Sequence, residues 1–226
     1  MTGRGPSAAS VRARLTDRYG TVDKPTLDPL DELVLTILSQ STTDANRDRA
    51  YDRLRDRFPS WDDVRTAPGG AIEDAVRVAG LGGQKARSIK RALARLHEER
   101  GSTTLSHLAA MGDTEATEYL TSFDGVGVKT AACVLCFSLR RPVLPVDTHV
   151  FRIGKRLGWL PESCTANRAH RLLEEWVQPS DRFAVHMLLI TLGRDACTAR
   201  APSCGTCPVE QECPKIGLDA GADRPS

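Results

Sequence analysis

Four of the seven cysteines crowd one stretch, CTARAPSCGTCPVEQEC, as Cys197, Cys204, Cys207 and Cys213. The gaps between them are six, two and five residues. Pro202, Gly205 and Pro208 break any helix or strand through this stretch, so the four thiols sit on a looped cradle. Thiolates gathered in this way grip metal. A tetra-Cys zinc site is one reading, but zinc sites usually come as two close pairs, and only Cys204 and Cys207 form one. An iron–sulfur cubane has four corners to hold and suits a single compact loop better, so the spacing favours it, with zinc as the competitor. Cys133 and Cys136 fall in an apolar helical run and read as small core residues.

A second group surrounds FDGVGVKTAACVL, Phe123 to Leu135. It approaches a nucleotide-binding phosphate loop but fails at two positions: Val128 separates Gly127 from Lys129, and Ser122 stands where the first Gly belongs. The glycines instead permit a tight turn and close backbone approach, and the amides opening the next helix favour an anion such as a DNA phosphate. A plain helix–helix connection would also use Gly. Lys129 shares that first turn. The positive end of the helix and an apolar setting both favour its neutral amine, the form a nucleophilic Lys requires. The competing reading is a Lys that pairs with phosphate or reaches to solvent. Asp147 lies 18 residues further on, at the next helix start. A carboxylate there is stabilised in its ionised form, which suits an electrostatic role beside a developing cation and equally suits a simple cap.

Helices must position these groups, because the hydrophobic pattern is helical nearly throughout and no convincing strand is found. Expected helices run over 12–19, 30–40, 44–58, 71–79, 84–100, 113–122, 128–139, 148–158, 165–177 and 180–192. Asp28 with Pro29, Asp113, Asp147, Thr165 and Ser180 mark their starts. The fold class is all-α.

The composition, 40% hydrophobic and 27% charged, is ordinary for a folded soluble chain. No apolar run reaches membrane-span length and no secretory leader is read, so a cytoplasmic location is expected, nucleoid-associated in a bacterium. Such a compartment disfavours disulfides. The net charge of +2 does not announce a nucleic-acid partner. Locally, 83–100 carries Lys85, Arg87, Lys90, Arg91, Arg95 and Arg100 against Glu98 and Glu99. It reads either as a solvated face or as a face that tracks phosphates.

Taken together, Gly125-Val126-Gly127-x-Lys129-Thr130-Ala131, the following Val146-Asp147-Thr148-His149-Val150-Phe151-Arg152 and the Cys-x6-Cys-x2-Cys-x5-Cys loop resemble the endonuclease III family of helix–hairpin–helix DNA glycosylases. The similarity runs from about Leu30 to Cys213. It implies two helical domains flanking a DNA cleft: a six-helix barrel with the hairpin over 30–141, and a four-helix cluster domain over 11–29 plus 142–216. Residues 1–10 and 217–226 are expected to be disordered tails. The four C-terminal cysteines would hold a [4Fe–4S] cluster.

The activity implied is base-excision repair by a bifunctional glycosylase/lyase. A damaged base, usually an oxidised pyrimidine, is flipped out of duplex DNA. Lys129 displaces it to give a Schiff base, β-elimination cuts the strand, and Asp147 stabilises the cationic sugar. Abasic sites are cut by the same route. A monomer acting on double-stranded DNA, with no membrane, is expected. The turn Gly80 to Gly83 resembles the family's intercalating loop, with Leu81 as wedge and Gly82 beside it. Gly125, Val126, Gly127, Gln40, Ser41, Lys85 and His149 complete the expected DNA contacts. Two departures stand out. Ser41 occupies the place of the Gln that fills the emptied base stack, with Gln40 one residue early, and an acidic residue, Asp124, precedes the hairpin glycines. A mismatch-directed thymine or uracil glycosylase and a non-catalytic DNA-binding cluster protein are the alternative functions. Adenine-excising relatives typically lack the Lys.

Overall fold

The computed structural model describes residues 5–218. These form eleven α-helices and no strand. In chain order they are α1 (Ala8–Tyr19), α2 (Pro29–Leu38), α3 (Asp44–Arg57), α4 (Trp61–Thr66), α5 (Gly69–Val76), α6 (Gly82–Arg100), α7 (Asp113–Thr121), α8 (Val128–Ser138), α9 (Thr148–Arg156), α10 (Ala166–Trp176) and α11 (Arg182–Asp195). No helix among the described residues is long and apolar enough to cross a membrane. The chain divides into two units, one of residues 26–141 and one of 1–25 with 142–226. Residues 26–29, expected with the cysteine-bearing part, lie in the other unit.

The unit of residues 26–141 is built on α2 and α8, which pack together. Asp28 accepts the amide of Leu30 at 2.8 Å and Pro29 opens α2, the start its sequence announces. Leu30, Leu33, Val34, Ile37 and Leu38 are buried on α2, and every residue from Thr130 to Phe137 is buried on α8. Helices apolar on nearly all sides become central ones. α6 packs against α5, α4 and α2; it starts from Leu81 in the left-handed conformation and stops at Gly101, whose amide reaches the His97 carbonyl at 2.8 Å.

The second unit encloses its own core of Val11 and Leu15 from α1, Val150 and Ile153 from α9, Leu173 from α10, and Val185, Leu188, Leu189 and Leu192 from α11. The close approach of α9 to α11 requires Gly193: a Cβ there would sit 2.4 Å from the His149 Nδ1.

Several boundaries differ from expectation. α1 begins at Ala8, capped by Ser7, so the end of the segment taken as a tail is helical; the expected tails at 1–4 and 219–226 lie outside the described residues. α4 was not expected, although Ser60 and Asp63 form a reciprocal capping box with the spacing that marks one. Gly112 rather than Asp113 stands at the cap of α7. Ser180 lies in a 3-10 turn, Pro179–Asp181, ahead of α11.

Candidate functional site

In the unit of residues 26–141 the hairpin is a turn closed by the Val126 amide on the Phe123 carbonyl at 3.1 Å. Gly125 has φ +79° and is exposed, with its Cα toward Ser88; a Cβ would lie 2.8 Å from the Ser88 Oγ. Gly is therefore required twice over, by conformation and by space. Gly127 is exposed and caps α8 without a side chain, so the first amides of α8 point outward with no helical acceptor. Val128 is exposed, Lys129 half-buried, and Val126 buried, so Val126 offers only its backbone. This is an anion-receptive helix start with an amine in its first turn.

Beside it, Gln40 at the end of α2 donates from Nε2 to the Gly125 carbonyl at 3.4 Å. Ser41 is exposed with φ +52°, and Leu81 is 54% exposed with φ +51°. Residues with a Cβ seldom occupy that region; Arg140, also exposed in this unit, has φ +51° as well. Gly82 is half-buried at the start of α6.

Lys85 is a correction. It is 1% exposed, and its Nζ donates to the carbonyls of Leu38 and Ala79, each at 2.8 Å. Burial lowers the affinity of this amine for its proton below the usual Lys range. It does not reach solvent and cannot touch a phosphate. Most of the basic helix is similarly engaged. Arg91 pairs with Asp124. Arg95 donates to the Ser122 carbonyl at 2.9 Å, pairs with Glu99 at 2.6 Å and lies 4.5 Å over the Phe123 ring. Lys90 donates to the Ala67 carbonyl. Through these contacts α6 is fastened to the hairpin and to neighbouring loops, while Arg87 and Arg91 stay exposed, and Asp124 is paired with Arg91.

In the other unit Asp147 is half-buried, and its Oδ1 accepts the Val150 amide at 2.8 Å, the cap its sequence position implies. His149 is half-buried with Nδ1 3.1 Å from the Arg152 guanidinium.

The four C-terminal cysteines line one pocket, with Ile153, Leu192, Ala196 and Val209 as apolar walls. Burial pushes the Cys207 thiol up to about 11, aided by the neighbouring Cys197, Cys213 and Cys204, and raises Cys213 too. Arg156, buried on α9, places Nη1 3.1 Å from the Cys197 Sγ and 2.7 Å from the Thr198 carbonyl, with Nη2 3.0 Å from that of Ala199. Arg152 donates to the Cys197 carbonyl at 2.8 Å. The sequence reading missed both arginines, although their i, i+4 spacing puts them on one face of a helix. Among the described residues no three His, Cys, Asp or Glu side chains converge tightly enough to grip a single ion.

The sequence matches the HhH-GPD superfamily base excision DNA repair protein pattern over residues 34–179. Among its relatives, a putative DNA glycosylase of Arabidopsis thaliana is 43% identical over 165 residues, 73% of this chain and 56% of that protein. The chain spans only about a tenth of the plant ROS1 proteins it also matches. Endonuclease III of Sulfolobus acidocaldarius is 33% identical over 83% of this chain and 82% of its own. A trapped covalent intermediate of endonuclease III with DNA superposes with a TM-score of 0.79 at 25% identity, covering 93% of this chain and 97% of that one. The family match over most of the chain and the relatives named DNA glycosylase and endonuclease III show that the chain belongs to the HhH-GPD superfamily of base excision DNA repair proteins.

Proposed function

We propose that the protein is a DNA glycosylase with an associated lyase activity, acting on double-stranded DNA that carries damaged pyrimidines or abasic sites. The observation that carries it is Lys129 in the first turn of α8, directly after an exposed, anion-receptive glycine hairpin. The hairpin amides bind a backbone phosphate and so fix the strand beside the amine. The Lys129 Nζ attacks C1′ of the damaged nucleotide; the C1′–N bond breaks and the base leaves with its electron pair and a proton. The C1′–O4′ bond then opens with O4′ taking a proton, and the iminium so formed loses a C2′ proton as the 3′ phosphate departs by β-elimination. The Asp147 carboxylate balances the positive charge that develops on the sugar. Leu81 enters the duplex as the base leaves the stack. The relation to a plant protein named DNA glycosylase/AP lyase, 32% identical over 68% of this chain and 12% of its own length, supports the lyase step.

The cysteine pocket fits an iron–sulfur cluster better than a single zinc ion. A tetrahedral zinc usually takes two close Cys pairs, whereas these four, at gaps of six, two and five residues, line one pocket and match the four corners of a cubane. Cys197, Cys204, Cys207 and Cys213 would hold a [4Fe–4S] cluster, which supplies a four-point crosslink of the loop. Arg156 and Arg152 hold the loop at its first cysteine.

Borohydride reduction during reaction with abasic-site duplex is expected to trap a covalent protein–DNA adduct, and Lys129→Ala is expected to abolish it. An adduct that persists in the variant would show that another amine is the nucleophile.

A further inference from the structure

Lys85 is among the most deeply buried side chains of the unit, and a buried ammonium is tolerated only where its protons meet acceptors. Its two acceptors have a shared character. Leu38 closes α2, and its carbonyl stands just before the loop leading through Ser39 and Gln40 to Ser41. Ala79 closes the 3-10 turn Arg77–Ala79, and its carbonyl stands just before Gly80 and Leu81. Carbonyls at helix ends lack an intrahelical donor and carry partial negative charge, so a cation is their natural partner. The Lys85 amide adds a third tie, to the Leu81 carbonyl at 3.0 Å. A single amine therefore fastens the last helical carbonyl ahead of each of two exposed residues held at φ near +50°.

We propose that Lys85 is a positioning residue that locks the Ser41 loop and the Leu81 turn to one another, so that both enter DNA as one rigid element. Without the clamp each loop is free to leave the strained conformation that presents its tip. The role rests on Leu81 acting as a wedge, as proposed above.

The test is a double-mutant cycle of Lys85→Met and Leu81→Ala in the full chain. The readout is 2-aminopurine fluorescence in a duplex that places this base opposite a stable abasic-site analogue, with thermal melting followed on the same samples. Wild type is expected to unstack the reporter. Each single variant is expected to lose most of that gain, and the double variant no more than either alone, because the clamp acts through the wedge. A merely structural Lys85 would give losses that multiply, and that result overturns the proposal, as does a Lys85→Met variant that folds and unstacks like wild type. Lys85→Gln, whose amide keeps N–H donors on a shorter side chain that cannot span both carbonyls, takes its place if Lys85→Met does not fold; a partial loss absent from the Leu81→Ala background is expected. A wild type that is trapped by borohydride yet never unstacks the reporter overturns the wedge and this proposal but leaves the glycosylase reading intact. Absence of trapping with Lys129 present sinks that reading itself.

Discussion

Asp147 does two jobs that a single substitution separates. Its Oδ1 caps α9 through the Val150 amide, and its charge is proposed to face the developing cation. Asn caps about as well as Asp, so Asp147→Asn is expected to change stability by less than about 0.5 kcal/mol. The lost charge should slow base release by about 10²-fold or more, the range for a group that assists proton transfer and charge in the transition state. Single-turnover rates and melting curves on the same variant check this; equal losses in both would make Asp147 a cap alone. Gly125 makes an opposite case, where the space and not the charge decides. Gly125→Ala should destabilise by at least about 1–2 kcal/mol, the cost of a Cβ in the left-handed region. It should cost more because the new methyl lies 2.8 Å from the Ser88 Oγ. Combining it with Ser88→Ala should recover part of the loss and not all, since the φ of +79° remains. Denaturant titration of the four proteins measures both terms.

α6 changes meaning at the scale of the element. Its positive charges were legible in the sequence; their direction was not, because a Lys or Arg count does not say which face of a helix is buried. Lys85, Ser88, Arg91 and Arg95 recur at helical spacing along one side, and the structure turns that side toward the hairpin and the loop ends. What could be read directly were elements fixed by local rules: α2 from Asp28–Pro29, α9 from Asp147, α10 from Thr165. Lys85 and Arg156 could not be read, since their roles rest on acceptors distant in sequence. The two arginines of α6 that hold the hairpin should differ in worth. Arg91 and Asp124 are largely exposed, at 66% and 58%, so Arg91→Ala should cost at most about 1 kcal/mol. Arg95 makes a charged hydrogen bond to a backbone carbonyl and stacks on Phe123, so Arg95→Ala should cost about 1–3 kcal/mol. Asp124→Asn, which removes a negative charge beside the hairpin amides, should tighten DNA binding at low salt, with the gain fading as salt rises. Binding isotherms across salt concentrations would show it; a gain independent of salt would point away from charge.

For the whole molecule, the cysteine loop is tied into the unit that holds α1 and α9. Glu212, inside that loop, accepts from Ser10 at 2.7 Å and Arg14 at 2.6 Å, both on α1. Ile216 beyond the last cysteine donates to the Arg156 carbonyl at 3.1 Å, and Arg156 in turn grips the loop at Cys197, Thr198 and Ala199. The loop thus stands between α1 and α9, and what orders it orders both. α2 and α8 draw on a separate core of their own. Purified protein is expected to be brown and to contain about four irons per chain, and zinc without iron would overturn the cluster. Because a bound metal group contributes its binding free energy to folding, Cys204→Ser should lower the melting temperature and remove the colour. Amide exchange would locate the damage: faster exchange in 8–19 and 148–156, with α2 and α8 keeping their protection. Exchange that accelerates evenly through all eleven helices would mean that the two units unfold as one, and that the loop supports more of the protein than its contacts imply.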